Sequence, residues 1–230
     1  MGSLNFIGGE KGGVGKSVMS RVLAQYLIDL ERPFTCFDTD RSHRSLTRFY
    51  SDYAAPSLVD SYESLDAIVE AFVNNAYKTV LVDLAAQTLT PITQWIRDSE
   101  LFDVFAELGI STNFWHVMDG GKDSVDLLGK LLDTFGDKPR YIVVLNEGRA
   151  SDFSIFEKSE EKARALALGA QLVSLPKLQE TAMRKIDAHN SSFWAAVNFK
   201  SDDAGALGLL ERQRVKIWLR KAYEMIDSIG

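Results

Sequence analysis

Glycine and lysine residues are concentrated in one short stretch near the start of the chain. Residues 8–17 read Gly-Gly-Glu-Lys-Gly-Gly-Val-Gly-Lys-Ser, between an apolar run at 4–7 and an amphipathic helix predicted over 16–31. The stretch matches the phosphate-loop pattern G-x-x-x-x-G-K-[ST], except that Glu10 replaces the first glycine. Glycines let successive backbone N–H groups point at anionic oxygens, and a helix that follows them directs its positive end at the same place.

The residue types in this loop predict how it would hold a nucleotide. Lys16 is expected to reach the β- and γ-phosphates and to serve catalysis, and the Ser17 hydroxyl to bind Mg²⁺. The other predicted nucleotide contacts in the loop are Gly12, Gly13, Val14, Gly15 and Val18. The alternative is a glycine-rich turn with a chance Gly-Lys-Ser, which the strand-loop-helix context disfavours.

Two further apolar strands end in aspartate. Residues 34–37 precede Asp38-Thr39-Asp40, and residues 79–82 precede Asp83. An apolar strand that ends in aspartate is the Walker B arrangement, in which Asp83 would hold a magnesium-bound water opposite Ser17. The alternatives are strand-end carboxylates that bind a helix N-terminus, for Asp38 and Asp40, and a plain buried strand for Asp83.

Two polar segments follow later strands. An apolar run at 143–145 ends in Asn146, whose amide can supply both a donor and an acceptor to a base, or can cap a turn before Gly148. Residues 119–124 follow another strand, where α/β folds place ligand-binding loops. For this segment we favour an ordinary helix N-cap at Asp123-Ser124.

The elements that would position these residues alternate along the chain. Apolar runs predict strands at 4–7, 34–37, 79–82, 113–118, 141–145 and 171–175. Helical periodicity predicts helices at 16–31, about 63–76, about 122–135 and roughly 204–227. This alternation predicts an α/β fold, with a mostly parallel twisted sheet and helices on both faces. We expect one domain over residues 1–230.

The composition is that of an ordinary globular protein. The 230 residues include 46% apolar and 25% charged residues, with a formal net charge of -6. The single cysteine, Cys36, excludes a scaffold built on internal disulfides and favours a reducing cytoplasm. No apolar run approaches the roughly 20 residues that a membrane span requires.

The run Lys11-Gly12-Gly13-Val14-Gly15-Lys16-Ser17 resembles the deviant phosphate loop of the ParA/MinD ATPases, and the later motifs come in that family's order. The resemblance implies a P-loop NTPase of the SIMIBI type that binds ATP and Mg²⁺. It implies that Lys11 acts in catalysis by reaching across a dimer interface to the partner's nucleotide. Asp40 would orient or activate the attacking water, and Asp38 would join the magnesium and lysine network. Asn146 and Pro176 would line the base pocket.

The chain departs from that family at three places. ParA-type members usually have Pro-Gln after the second aspartate of the D-x-D element, whereas this chain has Arg41-Ser42-His43-Arg44. Asp83 is followed by Leu-Ala-Ala-Gln, without the proline that is typical there. Glu10 is the smaller departure, because ParA-type members tend to lack the first glycine.

The resemblance implies a weak, partner-stimulated ATPase that forms a homodimer with ATP. Such a switch would position or partition a cargo, for example a plasmid or a conjugation or mobilisation complex. The alternative is a metabolic, ATP-dependent amide-forming ligase of the cobyrinate or dethiobiotin synthetase type. A nucleotide-binding module without catalysis is a third reading, disfavoured by the four retained polar residues Lys11, Lys16, Asp40 and Asp83.

The last predicted helix carries an apolar stripe and a basic face. Arg212, Arg214, Lys216, Arg220 and Lys221 lie largely off the stripe. Docking of the stripe on the domain with a solvated basic face is the favoured reading. Contact of the basic residues with non-specific DNA comes next, and binding to a membrane surface is the least favoured.

Overall fold

Seven strands form one sheet in the computed structural model, which describes residues 2–73, 79–199 and 206–229. In chain order the strands are β1 (Gly2–Gly8), β2 (Phe34–Asp38), β3 (Ala54–Pro56), β4 (Thr79–Asp83), β5 (Ile110–Met118), β6 (Arg140–Asn146) and β7 (Gln171–Leu175). Their spatial order is β3-β2-β4-β1-β5-β6-β7, and every neighbouring pair is parallel. The predicted α/β class with a parallel sheet is confirmed.

Helices cover both faces of this sheet. In chain order they are α1 (Lys16–Asp29), α2 (Ser45–Phe49), α3 (Tyr62–Val73), α4 (Leu89–Asp98), α5 (Leu101–Glu107), α6 (Lys122–Phe135), α7 (Ser154–Glu157), α8 (Glu160–Ala167), α9 (Glu180–Ala188), α10 (Phe193–Asn198) and α11 (Leu209–Asp227). Apolar residues of α1, α2, α9, α10 and α11 form the core on one face, and those of α3 to α8 form the core on the other.

The strands are covered by helices on both faces, which explains why their sequences are continuous apolar runs. In β4, Val80 and Val82 point into one core layer and Leu81 into the other, and all three are buried. Successive side chains of a strand point to opposite faces, so a strand covered on both sides needs apolar residues at every position. Polar residues are then left for the strand ends, where the candidate site lies.

The sequence analysis did not predict eight of the described elements, namely β3, α2, α4, α5, α7, α8, α9 and α10. Four of them are very short. Strand β3 has three residues, and α2, α7 and α10 have four to six. Such segments are too brief for a periodicity of 2 or 3.6 residues to stand out. β3 is an edge strand, which is where the proline at its end, Pro56, is tolerated.

Two predicted helix boundaries were wrong or fall outside the described residues. The last helix begins at Leu209 instead of near 204, because the Glu211 carboxylate accepts a hydrogen bond from the Gly208 N–H (2.8 Å) at its N-terminus. Residues 204 and 205 lie outside the described residues, as do residues 74–76 of the helix predicted at about 63–76. Within the described residues that helix ends at Val73.

The parallel sheet brings the candidate residues to one edge. The carboxyl ends of β1, β2, β4 and β6 lead into the phosphate loop, Asp40, the connection to α4 and the turn after Asn146, respectively. The chain leaves β1 toward β2 on one side of the sheet and later passes to β5 on the other side. Ligands of open α/β sheets bind at such a point, outside the carboxyl ends of the strands.

Candidate nucleotide site

A cavity of about 370 Å³ opens at this edge, lined by the phosphate loop, by the turn that contains Asp40 and His43, and by the connection between β4 and α4. Gly15 shows why the loop needs glycine. Its φ is +102°, and a Cβ atom there would lie 2.1 Å from the Asn146 amide nitrogen. The loop therefore passes directly over the end of β6 before α1 begins.

Lys16 lies on the inner wall of the cavity. Its side-chain Nζ donates to the Lys11 carbonyl (2.9 Å), inside the loop itself. Burial lowers the pKa of Lys16, and the nearby carboxylates of Asp83, Glu10 and Asp40 oppose this shift. The fold thus places a largely buried ammonium group where the sequence predicted a phosphate ligand.

Asp83 faces the first turn of α1. Its Oδ1 accepts a hydrogen bond from the Ser20 hydroxyl (2.9 Å), and within the described residues its buried Oδ2 has no partner. Burial, and then the charge of Asp38, raise the pKa of Asp83 to about 7, against hydrogen bonds from Ser20 and Ser17. Ser20 was missed by the sequence analysis, although it follows Lys16 by one helical turn.

The residues around Asp83 fit a magnesium ion. Mg²⁺ takes oxygen ligands and keeps several waters, so a protein commonly contributes only one or two of its ligands, and the phosphates and waters complete the set. One carboxylate and one hydroxyl are such a contribution. Ser17 and the unpartnered Oδ2 of Asp83 supply these two oxygens. A cation there would also favour the ionised form of Asp83, which burial alone disfavours.

Asp38 caps a helix. Its Oδ2 accepts hydrogen bonds from the backbone N–H groups of Leu46 (2.9 Å) and Thr47 (3.0 Å), at the start of α2. Its Oδ1 accepts from the Asp40 N–H (3.0 Å). These contacts match the helix-binding alternative considered for Asp38, and its assignment to the magnesium network stays a prediction.

Thr39 joins the two strand ends that carry the aspartates. Its hydroxyl donates to the Asp83 carbonyl (3.0 Å) and accepts from the Ala85 N–H (2.9 Å). The Thr39 N–H also donates to the Asp83 carbonyl (3.0 Å). The sequence analysis missed this role, because a threonine between two aspartates carries no local signal for a contact 44 positions away.

Asp40 closes the turn that continues through Arg41, Ser42 and His43. Its Oδ1 accepts from the N–H groups of Ser42 (2.9 Å) and His43 (3.0 Å), and its Oδ2 lies 3.1 Å from the His43 ring Nδ1. Partial burial raises the pKa of Asp40, but hydrogen bonds from His43 and Ser42 outweigh burial and hold it below its usual range. Asp40 is therefore ionised and lines the same cavity as Lys16.

Lys11 precedes the cavity-lining Gly12, and its side chain pairs with carboxylates that are not among the described residues lining the cavity. Its Nζ pairs with Asp119 (2.9 Å) and lies 3.8 Å from Asp123. The hydrogen bond from Lys11 to Asp119 raises the pKa of Lys11.

The predicted N-cap at Asp123-Ser124 was wrong, because α6 begins at Lys122. The Asp119 Oδ1 accepts hydrogen bonds from the Gly121 N–H (3.0 Å) and the Ser124 hydroxyl (2.8 Å) just before and within the first turn of this helix.

A second cavity of about 470 Å³ lies next to the loop, where the sequence predicted a base pocket. Asn146 and Pro176 both line it, together with Trp218 of α11. The Asn146 amide donates to the Val14 carbonyl (2.7 Å) and its Oδ1 accepts from the Gly148 N–H (3.0 Å). Trp218 Nε1 donates to the Pro176 carbonyl (2.6 Å). The contact between Asn146 and adenine stays a prediction, since both ends of this amide already bind backbone.

Two buried polar side chains near the site had no signal in the sequence. Arg21 of α1 stacks on Phe49 and Phe193, with its guanidinium carbon 3.6 and 4.7 Å from the ring centroids, and pairs with Asp187 (2.7 Å). His116 lies under the loop, where burial lowers its pKa to about 4 and keeps the ring neutral. The contacts of Arg21 join α1 to elements far apart in the chain, whereas the His116 Nε2 lies 2.9 Å from the carbonyl of Ser124, only eight positions on.

The basic residues of α11 do not gather at the cavity. Within the described residues, Arg212 donates to the Leu207 carbonyl, Arg214 to Gln179, and Arg220 pairs with Glu224 at 3.9 Å. Lys216 and Lys221 are exposed on the same helix. The apolar stripe of α11 is packed into the core, which is the predicted docking arrangement. A search of the described residues finds no helix with the length and apolar character of a membrane span.

The chain is similar in sequence to known proteins along almost its whole length. No protein-family profile matches the chain. Protein TraL of Escherichia coli is 24% identical, over 99% of this chain and 98% of TraL. Protein MobD of Acidithiobacillus ferrooxidans is 20% identical, over 99% of this chain and 97% of MobD.

Solved structures share the whole fold at low identity. The MinC:MinD cell division protein complex of Aquifex aeolicus matches with a TM-score of 0.56 and 14% identity, over 96% of this chain and 95% of that one. A Borrelia burgdorferi protein described as a plasmid partition protein, bound to AMPPNP, matches with a TM-score of 0.52 and 14% identity, over 96% and 98%. The chain therefore has the same fold as MinD and the plasmid partition protein, and the predicted resemblance to the ParA/MinD family is confirmed.

Proposed function

We propose that this protein binds ATP with Mg²⁺, dimerises around it and hydrolyses it slowly, as a switch that acts in plasmid partition or mobilisation. The observation that carries the proposal is the cavity that Lys16, Ser17 and Asp40 line together, with Asp83 behind it and Lys11 next to the cavity-lining Gly12 in the loop. The AMPPNP in the Borrelia burgdorferi protein of the same fold supports a nucleotide as the ligand.

The chemistry follows from the charges around the cavity. When bound, Mg²⁺ would neutralise developing charge on the β- and γ-phosphates. Lys16 is the only lysine that lines the cavity within the described residues, and it can turn from the Lys11 carbonyl to a phosphate oxygen. Asp40 is ionised and can accept a proton from a water near the γ-phosphate, provided that its contacts with Ser42 and His43 leave one lone pair free.

Dimerisation would give Lys11 a role in binding the nucleotide of the second subunit. Within its own subunit Lys11 pairs with Asp119, so among the lysines of the described residues Lys16 alone lines this chain's cavity. If Lys11 leaves Asp119 and reaches the partner's phosphates, ATP binds the dimer more tightly than the monomer. Linkage then makes ATP stabilise the dimer until hydrolysis removes the γ-phosphate.

The cargo is inferred from the relatives. TraL and MobD, associated with conjugation and mobilisation, cover almost the whole chain, and the Borrelia burgdorferi neighbour is described as a plasmid partition protein. A cytoplasmic location suits such a cargo and the buried free thiol of Cys36. We expect a protein partner that stimulates hydrolysis, because a switch needs a long-lived ATP state.

Non-specific DNA is a further proposed partner, through the basic face of α11. Lys216 and Lys221 are exposed there, beside Arg214 and Arg220. A double variant, Lys216→Glu with Lys221→Glu, should weaken binding to a random duplex and flatten its salt dependence. Lys138→Glu, at an exposed lysine near the start of β6, is the matched control and should leave DNA binding close to wild type.

Light scattering tests the switch directly. Wild type and Asp40→Ala are measured without nucleotide, with Mg-ADP and with Mg-ATP. We expect monomers or weak dimers without nucleotide and with ADP, and a stable dimer of Asp40→Ala with ATP. Asp40→Ala that stays monomeric at saturating ATP contradicts the switch and puts the amide-forming ligase ahead.

A further inference from the structure

Glu10 stands at the start of the phosphate loop, and its side chain reaches out of the loop to another element. Its Oε1 accepts hydrogen bonds from the backbone N–H groups of Thr88 (3.0 Å) and Leu89 (2.8 Å). Thr88 is the N-cap of α4 and Leu89 its first residue. The first N–H groups of a helix have no partner within the helix and carry partial positive charge, so a carboxylate there is a favourable acceptor.

The start of α4 depends on this distant acceptor. Threonine at an N-cap usually accepts a hydrogen bond from the first turn. Here the Thr88 hydroxyl instead donates to the Ala85 carbonyl (2.8 Å), and the first turn of α4 contains no acidic residue. Glu10 therefore provides the cap that the local sequence lacks.

The connection between β4 and α4 is fastened at three points. At its start, the Leu84 N–H donates to a β1 carbonyl (2.9 Å), and in its middle the Ala85 N–H donates to the Thr39 hydroxyl (2.9 Å). The Glu10 carboxylate holds the end of the connection by accepting from Thr88 and Leu89. Gln87, just before that end, has a φ of +63°, which is uncommon and unfavourable for a residue other than glycine. The shape of this connection is thus imposed by its contacts and not by local preference.

We propose that Glu10 is a positioning residue that fixes the connection between β4 and α4 against the phosphate loop, so that both respond to nucleotide as one unit. The proposal deepens the proposed ATP hydrolysis and rests on it. Ala85 and Ala86 line the phosphate cavity beside Lys16, so the placement of their backbone decides which groups meet the terminal phosphate. Glu10 acts on this placement through the start of α4.

Amide hydrogen exchange in the nucleotide-free, full-length protein tests the holding role without any activity. Glu10→Ala should speed exchange at Thr88 and Leu89 by about tenfold or more, because their acceptor is gone. Glu10→Gln should stay within about threefold of wild type, because its amide oxygen can accept the same two bonds. Glu63→Ala, which removes the acidic residue from the first turn of α3, is the matched control and should leave both amides unchanged. Wild-type exchange in Glu10→Ala overturns the proposal.

Repeating the exchange with Mg-AMPPNP tests the coupling. Nucleotide on the phosphate loop should slow exchange at Thr88 and Leu89 in wild type and in Glu10→Gln, but not in Glu10→Ala. If nucleotide has no effect on these amides in wild type, the coupling is wrong even though Glu10 caps α4. If AMPPNP does not bind at all, the proposed function fails, and the exchange of the free protein still decides whether Glu10 holds α4.

Steady-state hydrolysis then separates positioning from simple stabilisation. Glu10→Ala should lower kcat about tenfold or more and leave KM within about threefold, and Glu10→Gln should restore most of kcat. A variant that lowers only Tm, with kcat per folded molecule unchanged, would show that Glu10 is structural and would overturn the coupling.

Discussion

Lys16 and Lys11 belong to the same loop, yet the fold gives them opposite surroundings. Lys16 is 8% exposed and its Nζ is held by a carbonyl of the loop itself (2.9 Å). The Lys11 side chain is 31% exposed and pairs with the carboxylate of Asp119 (2.9 Å), on another element. Burial lowers the pKa of Lys16, whereas the hydrogen bond to Asp119 raises that of Lys11.

The difference separates a fixed part of the site from an adjustable part. We call Lys16, Ser17 and Asp83 the inner wall, and Lys11, Asp40 and Asp119 the rim. Lys16 and Asp83 of the inner wall are buried, so either group is costly to move unless it gains a new partner, such as a phosphate or a cation, in this medium of low dielectric. The Lys11–Asp119 pair is partly open to solvent, and ion pairs that water reaches contribute little to stability, so Lys11 can change partner when a nucleotide or a second subunit arrives.

The largest effect is expected from Lys16→Ala. Removing the ammonium group from the inner wall should weaken Mg-ATP binding by about 100-fold or more, since a charge-assisted contact is lost inside a largely buried site. Isothermal titration of both proteins measures it, with Lys122→Ala as a control at an exposed lysine of α6. Affinity equal to wild type would refute the assignment of the phosphate loop.

Lys11→Ala should separate ATP binding from dimerisation. We expect its affinity for ATP as a monomer to stay within about threefold of wild type, because Lys11 does not reach its own phosphates. The variant should remain monomeric with ATP and hydrolyse it at background level. Light scattering with and without ATP tests this, and a Lys11→Ala protein that dimerises normally would remove the distinction between inner wall and rim.

Variants of Asp40 test whether the rim also takes part in ATP hydrolysis. Asp40→Ala and Asp40→Asn should both keep ATP binding within about threefold, while hydrolysis falls by about 100-fold, a typical share for a general base. Asp40→Asn is the more informative of the two, because its amide oxygen can still accept from Ser42 and His43 and so keep the turn. If binding and hydrolysis fall together in both variants, Asp40 is structural.

The smallest effect is expected from Asp119→Asn. The amide oxygen can keep the contacts with Gly121 and Ser124, but the charge that holds Lys11 is lost. Lys11 is then freer to leave, so ATP should induce the dimer at a protein concentration roughly three to ten times lower than in wild type. Asp126→Asn, which breaks the exposed pair with Lys122 on the same helix, is the matched control. A shift of equal size in both variants would attribute it to surface charge alone.

The sequence alone predicted those features of the molecule that depend on the spacing of residues along the chain. The glycines and Lys16 define the phosphate loop because a cradle of N–H groups needs consecutive residues. The strand-end aspartates Asp38 and Asp83 follow apolar runs, and parallel strands bring their carboxyl ends to one edge, so their position side by side at that edge could be predicted. The stripe of α11 likewise predicted its packing on the sheet.

Contacts between distant segments carried no such signal. Glu10 reads as a missing glycine, and its bonds to the start of α4 depend on how β1 and β4 pair. Asp119 reads as the start of a loop after a strand, and its pairing with Lys11 depends on β5 lying next to β1. The same residue types could have faced solvent in either place.

What this sequence determines by itself is therefore the class of fold and the position of the glycine-rich loop motif, because both follow from local periodicity and from consecutive residues. What only the tertiary structure decided is the partner of each charge: Lys16 in the inner wall, Lys11 on Asp119, Asp38 on α2 and Glu10 on α4. The physical reason is that hydrogen bonds and ion pairs act over about 3 Å, whereas these partners are brought within that distance by strand order and helix packing.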